Sequence, residues 1–314
     1  MTFLTTRSIV FKMANVKFYL LRWKYLIWRE SYCGKFNTRE AAHVHSRKKR
    51  YIKIGPLLQK KNMTTVETLR EKLFYWNVLV VFVHWSSFLA LTIISFVNLD
   101  SARYVPLWID FGSPTAIKSL GSYPIFSTLL PFPLITGAFH AWLAYNYKDY
   151  YSRFLVSGVA KARWLEFAIT NGLMTFSVMV LARAGSILIP ILGVFCNFQM
   201  QYFGYLHELR NHRVTPMHRT KGPYLMGFFP WIATWATIFT YYGLNVGNMV
   251  LSDSFAIIGT FVLSLTFVLP LEWRYTRANT IQNNYNTEVA YILLSLTAKL
   301  YLDWTVTIGT LVGN

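Results

Sequence analysis

The chain has 314 residues, of which 54% are hydrophobic and only 14% are charged. A soluble domain needs more charge than this to cover its surface, so the composition indicates a membrane protein. Two cysteines, Cys33 and Cys196, are too few for a disulfide framework.

The formal net charge of +18 is concentrated near the N-terminus. Residues 1–72 contain 17 of the 31 Lys and Arg residues and four acidic residues, which gives +13 of the +18. The chain therefore combines a basic N-terminal segment with an apolar body, a distribution that does not predict a nucleic-acid-binding protein.

Residues 1–62 form a basic cytoplasmic extension for which three interpretations stay open. The basic and aromatic stretch at 16–30 suits a helix lying on anionic lipid. A disordered tail carrying the charge run SRKKR at 46–50 is the second interpretation, and translation beginning at Met63 is the third. The predicted second domain is a helical bundle over 63–314.

Seven segments of this bundle are apolar and long enough, at ~20 residues, to span a bilayer as helices. They are 73–97, 124–146, 158–183, 186–207, 224–244, 254–273 and 288–310. The connection at 98–123 carries β-branched and aromatic residues between Gly, Pro and Ser, which predicts a short β-hairpin. The predicted fold class is an all-α membrane protein, a seven-transmembrane-helix bundle.

Basic residues in the connections predict the orientation. The connections after the second, fourth and sixth segments carry ten Lys and Arg residues, and the opposite ones carry three. Because basic loops stay in the cytoplasm, the N-terminus is predicted to be cytoplasmic and the C-terminus to lie outside. A multi-pass protein of the plasma membrane is expected.

The seventh segment contains Lys299, within VAYILLSLTAKLYLDW at 289–304. A charged amine at mid-bilayer is costly, and Lys299 lies ~16 Å from either end of its helix, too far for its side chain to reach water. It belongs either to an ion pair or to covalent chemistry, since lysine forms Schiff bases with aldehydes. The residues alone leave both interpretations open.

Glu166 is the best anionic partner for such a lysine. Arg163 lies three residues before it on the same helical face, which predicts a guanidinium beside the carboxylate. An interfacial Arg163–Glu166 pair that closes the third helix is the alternative.

Four polar residues of the seventh segment recur every four positions and form one stripe. They are Tyr291, Ser295, Lys299 and Asp303. Ser295 is expected to bond the lysine nitrogen or its anion, or else its own helix backbone. Asp303 is a second anion or a proton acceptor, or else an interfacial acid near Trp304.

His84 and His140, in the first two segments, add titratable groups to the interior. With Glu166 and Lys299 they predict a polar cavity that holds water or a proton, although a membrane histidine is more often a packing residue. The other histidines are predicted to be solvated loop residues: 43, 45, 207, 212 and 218. The sequence contains no metal-ligand cluster, P-loop or nucleophile motif, so no enzyme is predicted.

Several motifs resemble one family of retinal proteins. SLTAK at 295–299, followed by Trp304, is similar to its retinal-binding helix, and RWLEF at 163–167 is similar to the RWxEY segment that carries its counterion. Further similarities are Asn197, Phe203-Gly204, Pro230-Trp231 and the two membrane histidines. The chain thereby resembles the heliorhodopsins over about 70–312, a family whose membrane orientation is inverted relative to ordinary microbial rhodopsins.

The resemblance implies all-trans retinal bound covalently to Lys299 as a protonated Schiff base, with Glu166 as the counterion. Ser295 stands where ordinary microbial rhodopsins carry a second carboxylate. His84, His140 and Thr136 would line a polar cavity on the cytoplasmic side. The implied wall of the chromophore site consists of Thr170, Asn171, Met174, Asn197 and Trp231. Family members are homodimers with the hairpin at the interface.

The implied function is light sensing, with an unknown signalling partner at the cytoplasmic face and the lipid bilayer as surroundings. Three departures from the family pattern bear on it: Asp303, Glu272 beside Pro270, and Phe167 in place of tyrosine. The extra acids Asp303 and Glu272 make light-driven or light-gated proton transport the alternative. A retinal-free transporter or receptor that uses Lys299 as a structural charge is the third hypothesis.

Overall fold

In the computed structural model of the chain, the described residues are 55–97, 104–110 and 117–312. The chain divides into two compact units, Met1–Lys61 and Asn62–Asn314. Of the predicted extension at 1–62, residues 1–54 lie outside the described residues. Residues 55–62 belong to the first helix.

The described residues form ten α-helices and one antiparallel hairpin. The helices are α1 (Gly55–Val97), α2 (Phe126–Leu129), α3 (Pro131–Tyr145), α4 (Tyr147–Ser157), α5 (Lys161–Leu181), α6 (Leu188–Asn211), α7 (Gly222–Asn245), α8 (Leu251–Thr266), α9 (Val268–Tyr275) and α10 (Ile281–Val312). The strands are β1 (Tyr104–Asp110) and β2 (Ile117–Pro124). The predicted fold class and the predicted hairpin are confirmed.

All seven predicted segments are helical, and two of them are divided. The second contains α2 and α3, which meet at Leu130 before Pro131, and the sixth contains α8 and α9, which meet at Phe267. Within the part of the chain that the structure describes, four stretches are long and apolar enough to cross a membrane by length and composition. They are Thr65–Val97, Lys161–Leu181, Leu251–Tyr275 and Ile281–Val312.

Helix α4 is an element that the sequence analysis did not predict. It lies between the second and third segments and is amphipathic, since Tyr151, Phe154 and Leu155 are buried while Lys148 and Asp149 are exposed. Its apolar side packs in a cluster with residues of α1 and α10. The connection between the two membrane helices is therefore a surface helix closing one end of the bundle.

The hairpin is fixed to the connection between α5 and α6 by backbone hydrogen bonds. Trp108 N donates to Gly185 O at 3.0 Å, and Ile187 N donates to Trp108 O at 2.9 Å. The indole of Trp108 lies where a Cβ on residue 185 would stand. Glycine at 185 therefore permits the close approach of the hairpin, and Leu107 of β1 joins the core that contains Leu302 of α10.

The glycine at position 185 provides a test of this packing. Gly185→Ala is expected to lower the free energy of unfolding by about 1–3 kcal/mol, because the new methyl group overlaps the Trp108 ring. Thermal unfolding in detergent measures the change. Gly243→Ala is the control, since a Cβ there meets nothing within 4 Å and alanine favours the helix by about 1 kcal/mol. Equal melting temperatures for the two variants would contradict the packing.

Candidate functional site

Lys299 and Glu166 form an ion pair in the interior of the bundle. The ammonium of Lys299, on α10, donates to Oε1 of Glu166, on α5, and both side chains are buried. Two hydroxyl groups donate to the same oxygen, Thr136 Oγ1 at 3.2 Å and Thr170 Oγ1 at 2.9 Å. Three donors on one carboxylate oxygen hold it in one orientation.

The rest of the α10 stripe is also buried but incompletely hydrogen-bonded. Tyr291, Ser295 and Asp303 are each at most 2% exposed. Ser295 Oγ, Tyr291 OH and both carboxyl oxygens of Asp303 have no hydrogen-bond partner among the described residues. Asp303 is close enough to Lys299 for their charges to interact. The lysine thus has one bonded acid and one unbonded acid as neighbours.

The two membrane histidines differ in their surroundings. His140 Nδ1 lies 2.7 Å from Asn77 Oδ1, and Asn77 Nδ2 donates to Tyr151 OH at 2.8 Å. Burial raises the pKa of Tyr151, on the surface helix α4, well above its ordinary value, so the phenol stays protonated. His84 is fully buried, and neither of its ring nitrogens has a partner in the described part of the chain. Both imidazoles lie within Coulombic range of Lys299.

A cavity of about 160 Å³ lies beside this ion pair, between helices α5 to α10. On α5 its lining extends from Trp164 to Val178, which corresponds to roughly 20 Å along the helix axis. Ala298, next to Lys299 in the chain, is part of the lining, and most of the surface is apolar or aromatic. The space suits a long apolar ligand that ends near the lysine.

Four of the five residues predicted to wall a chromophore line this cavity. They are Asn171, Met174, Asn197 and Trp231. Thr170 does not line it, because its hydroxyl turns back to the Glu166 backbone and carboxylate, both at 2.9 Å. Sequence reasoning missed further lining aromatics, among them Phe228 and Trp235. The spacing of Phe228, Trp231 and Trp235 along one face of α7 was the available signal.

The predicted placement of Arg163 beside Glu166 is wrong. Arg163 donates instead to Glu208 on α6 and to Glu288 on α10, and Arg274 of α9 donates to Glu208 at 2.6 Å. All four side chains are buried. Adjacent positions on a helix face give two side chains a similar direction but not a contact, and the guanidinium follows the two carboxylates that α6 and α10 bring to it. We call these four residues the arginine–glutamate network.

The arginine–glutamate network contacts the cavity through two aromatic residues. Trp164 lines the cavity and donates Nε1–H to Glu208 Oε2 at 2.8 Å. Tyr291 also lines it, and the Arg163 guanidinium lies 4.2 Å from the centre of its ring. A change in the shape of the cavity therefore reaches the buried charges through direct contacts.

Two further expectations are corrected by the structure. His207, predicted to be a solvated loop residue, is buried on α6 with ring contacts to Tyr224 and Tyr275. Glu272, predicted to be a possible proton relay, is part-exposed on α9 and accepts a hydrogen bond from Lys221 Nζ at 2.7 Å. It lies at the surface, outside the set of buried groups around the lysine.

The fold and the buried lysine–carboxylate pair beside an aromatic cavity define a seven-helix membrane protein of the rhodopsin class. The chain belongs to the heliorhodopsin family, whose model matches residues 73–311. No curated protein matches the chain. The resemblance of the motifs is thereby confirmed. Heliorhodopsins are a family of integral membrane photoreceptors that are generally not enzymatic, and membership of the family implies a retinal chromophore.

The arginine–glutamate network provides a stability test. Glu208→Gln is expected to lower the free energy of unfolding by about 3–5 kcal/mol, because it leaves two buried guanidinium groups short of a negative charge. Thermal unfolding in detergent measures the loss. Glu272→Gln, which removes a carboxylate of the part-exposed pair with Lys221, is the control and should leave the melting temperature nearly unchanged. A loss of the same size in both variants would contradict the assignment.

Proposed function

We propose that the chain is a light-sensing protein in which all-trans retinal is bound covalently to Lys299 as a protonated Schiff base. The observation that carries this proposal is the buried Lys299–Glu166 pair at the side of an elongated aromatic cavity. Retinal supplies the light absorption and the photoisomerisation when it is bound. The residues fit it, because Ala298 joins the lysine to the cavity and Ser295 Oγ is a buried hydroxyl without a partner in the described chain.

Glu166 acts as the counterion in this proposal. A positive nitrogen in a low-dielectric interior requires an anion close by, and Glu166 is the acid bonded to Nζ of Lys299. Thr136 and Thr170 fix the carboxylate from α3 and from its own helix. His84 and His140 supply titratable groups on the side of α1 and α3, suited to exchange protons through a polar cavity.

The signal would leave through the arginine–glutamate network. Trp164 and Tyr291 touch both the cavity and this network, so movement of a ligand would displace Glu208 and Arg163. The proposed orientation puts this end of the bundle in the cytoplasm, where a signalling partner would bind. We further propose a plasma-membrane homodimer with the β1–β2 hairpin at its interface.

Light-driven or light-gated proton transport is the second candidate function. The observation that favours it is Asp303, a buried carboxyl group one turn from Lys299. Glu272 does not favour it, because that carboxylate pairs with Lys221 at the surface. A stationary photocurrent at zero driving force distinguishes proton transport from sensing alone, which gives none.

Absorption spectroscopy tests the proposed chromophore. Membranes that contain the wild type and added all-trans retinal are expected to show a visible band, and Lys299→Ala should lose it because no other buried amine pairs with Glu166 in the described chain. Glu166→Gln should shift the band to longer wavelength. The anion stabilises the positive charge on the nitrogen in the ground state, so its loss lowers the excitation energy. A folded wild type without a band would refute the proposal.

Site-directed spin labelling tests the proposed output. A label at Tyr145, which is 87% exposed at the end of α3, is expected to change its mobility on illumination. Trp164→Phe should reduce the change while keeping the visible band, because it removes the Nε1–H bond to Glu208 but retains a ring in the cavity. A label at Val246, beyond the C-terminal end of α7, is the control. An unchanged response in Trp164→Phe would exclude this route.

A further inference from the structure

Asp303 is a buried acid whose carboxyl group has no hydrogen-bond donor among the described residues. Its side chain is fully buried, and neither carboxyl oxygen has a partner among the described residues. Glu166, by contrast, accepts three hydrogen bonds on one oxygen. An unbonded carboxylate in a protein interior is strongly disfavoured and takes up a proton instead. Asp303 is therefore suited to be a neutral carboxylic acid.

The charges around Asp303 do not reverse this conclusion. The groups that face it are Lys299 on its own helix, with Glu166 from α5 and His84 from α1 around the lysine. The positive charge of Lys299 is already neutralised by Glu166. Two carboxylates against one ammonium would leave a net negative charge in the apolar interior, so one acid keeps its proton.

Asp303 and the His140 chain lie on opposite sides of Lys299. Tyr151, which ends the chain of hydrogen bonds from His140, packs in a cluster with Ile292, seven residues before the lysine. Leu302, beside Asp303, packs in the cluster that contains Leu107 of the hairpin. The two acids near the lysine therefore have different neighbours. Glu166 is hydrogen-bonded by Thr136 and Thr170, whereas Asp303 lies on the side of the cluster that contains Leu107.

The outward side of Asp303 continues as a stripe of polar groups. Thr307 follows one turn later and is fully buried, and its hydroxyl group donates to the backbone carbonyl of Asp303 at 2.7 Å. Thr310 is also buried. The first turn of α8 lies alongside, because Ser252 occupies the space where a Cβ on Gly309 would stand. That turn contains a second buried acid, Asp253. Hydroxyl and carboxyl groups thus extend from Asp303 toward the hairpin end of the bundle.

We propose that Asp303 stores a proton in the resting protein and returns it to Lys299 Nζ in the light-driven cycle. This inference rests on the proposed attachment of retinal to Lys299. After the proton on Nζ has passed to Glu166, the O–H bond of Asp303 breaks and an N–H bond on Nζ forms, which leaves Asp303 as a carboxylate. Asp303 then regains a proton from water at the hairpin end, along Thr307 and Asp253, and Glu166 releases to water the proton that it received, so that all three groups return to their resting states.

Infrared spectroscopy of the retinal-free protein tests the resting state of this proton donor. Wild type with isotopically labelled aspartate is expected to show the carbonyl stretch of a protonated carboxyl group, and Asp303→Asn should lose that band. Asp253→Asn is the matched control, a buried aspartate on α8 that is not beside the lysine. A wild type with only carboxylate bands, or a band that disappears in Asp253→Asn and persists in Asp303→Asn, would overturn the proposal.

Flash photolysis of the retinal-loaded protein tests the transfer itself. In Asp303→Asn, recovery of the resting absorption is expected to slow by about 100-fold, the usual contribution of a positioned acid, and to become proportional to the proton concentration of the buffer. Asp303→Glu should restore fast recovery that does not depend on buffer pH. Thr307→Val, one turn further along α10, keeps the acid beside Nζ, so it should leave the transfer to Nζ fast and slow only the later return of a proton to Asp303.

The outcomes separate this inference from the proposed function. A wild type that binds retinal and an Asp303→Asn variant with unchanged, pH-independent recovery would overturn the role of Asp303 and leave the chromophore site intact. A folded wild type that forms no pigment would overturn both. If Asp303→Asn does not fold, the labelled band in Asp253→Asn shows whether a protonated aspartate other than Asp253 is present, and Asp303→Glu decides whether recovery follows the acid.

Discussion

The cost of a cationic amine in the middle of an apolar helix governs the design of this bundle. Lys299 is fully buried, and such a charge remains in a membrane protein only where an anion and hydrogen bonds compensate its lost hydration. Glu166 supplies the anion, and Thr136 and Thr170 orient it. Helices α3, α5 and α10 must therefore meet at one height, and this requirement positions the cavity beside the lysine as well.

The same bundle treats its buried charges in two different ways. In the arginine–glutamate network, Glu208 accepts hydrogen bonds from Trp164, Ala160 and two arginines, and so many bonds to one carboxylate restrict its movement. Around Lys299, the hydroxyl of Ser295 and the carboxyl of Asp303 lack partners in the described chain. The unbonded carboxyl group of Asp303 and hydroxyl group of Ser295 thus lie where a light-driven change would begin, and the more extensively bonded Glu208 lies where movement would be transmitted.

The sequence predicted the pairing of residue types that are rare in apolar segments, and it missed contacts between residues that are far apart in the chain. Lys299 and Glu166 were identifiable because charged residues are scarce in apolar segments, so few pairings were available. Arg163 was assigned to the wrong carboxylate because Glu208 and Glu288 lie 45 and 125 residues away, and sequence spacing reports only contacts within one helix. The surface helix α4 was missed for a related reason. Its many polar residues keep the segment below the hydropathy of a membrane helix, and its buried face becomes evident only from the packing against α1 and α10.

Asp303 illustrates how one acid can change the chemistry of a site without changing its fold. It occupies the stripe that already faces the bundle interior, so no helix needs to rotate to bring it near Lys299. A neutral acid also adds no charge to be compensated, which makes it compatible with the existing Lys299–Glu166 pair. Its effect would appear only when Nζ loses its proton, because the ion pair that then forms with Asp303 restores a positive nitrogen. Sensing and proton movement would consequently share one site, and the lifetime of the deprotonated lysine nitrogen would decide which of them dominates.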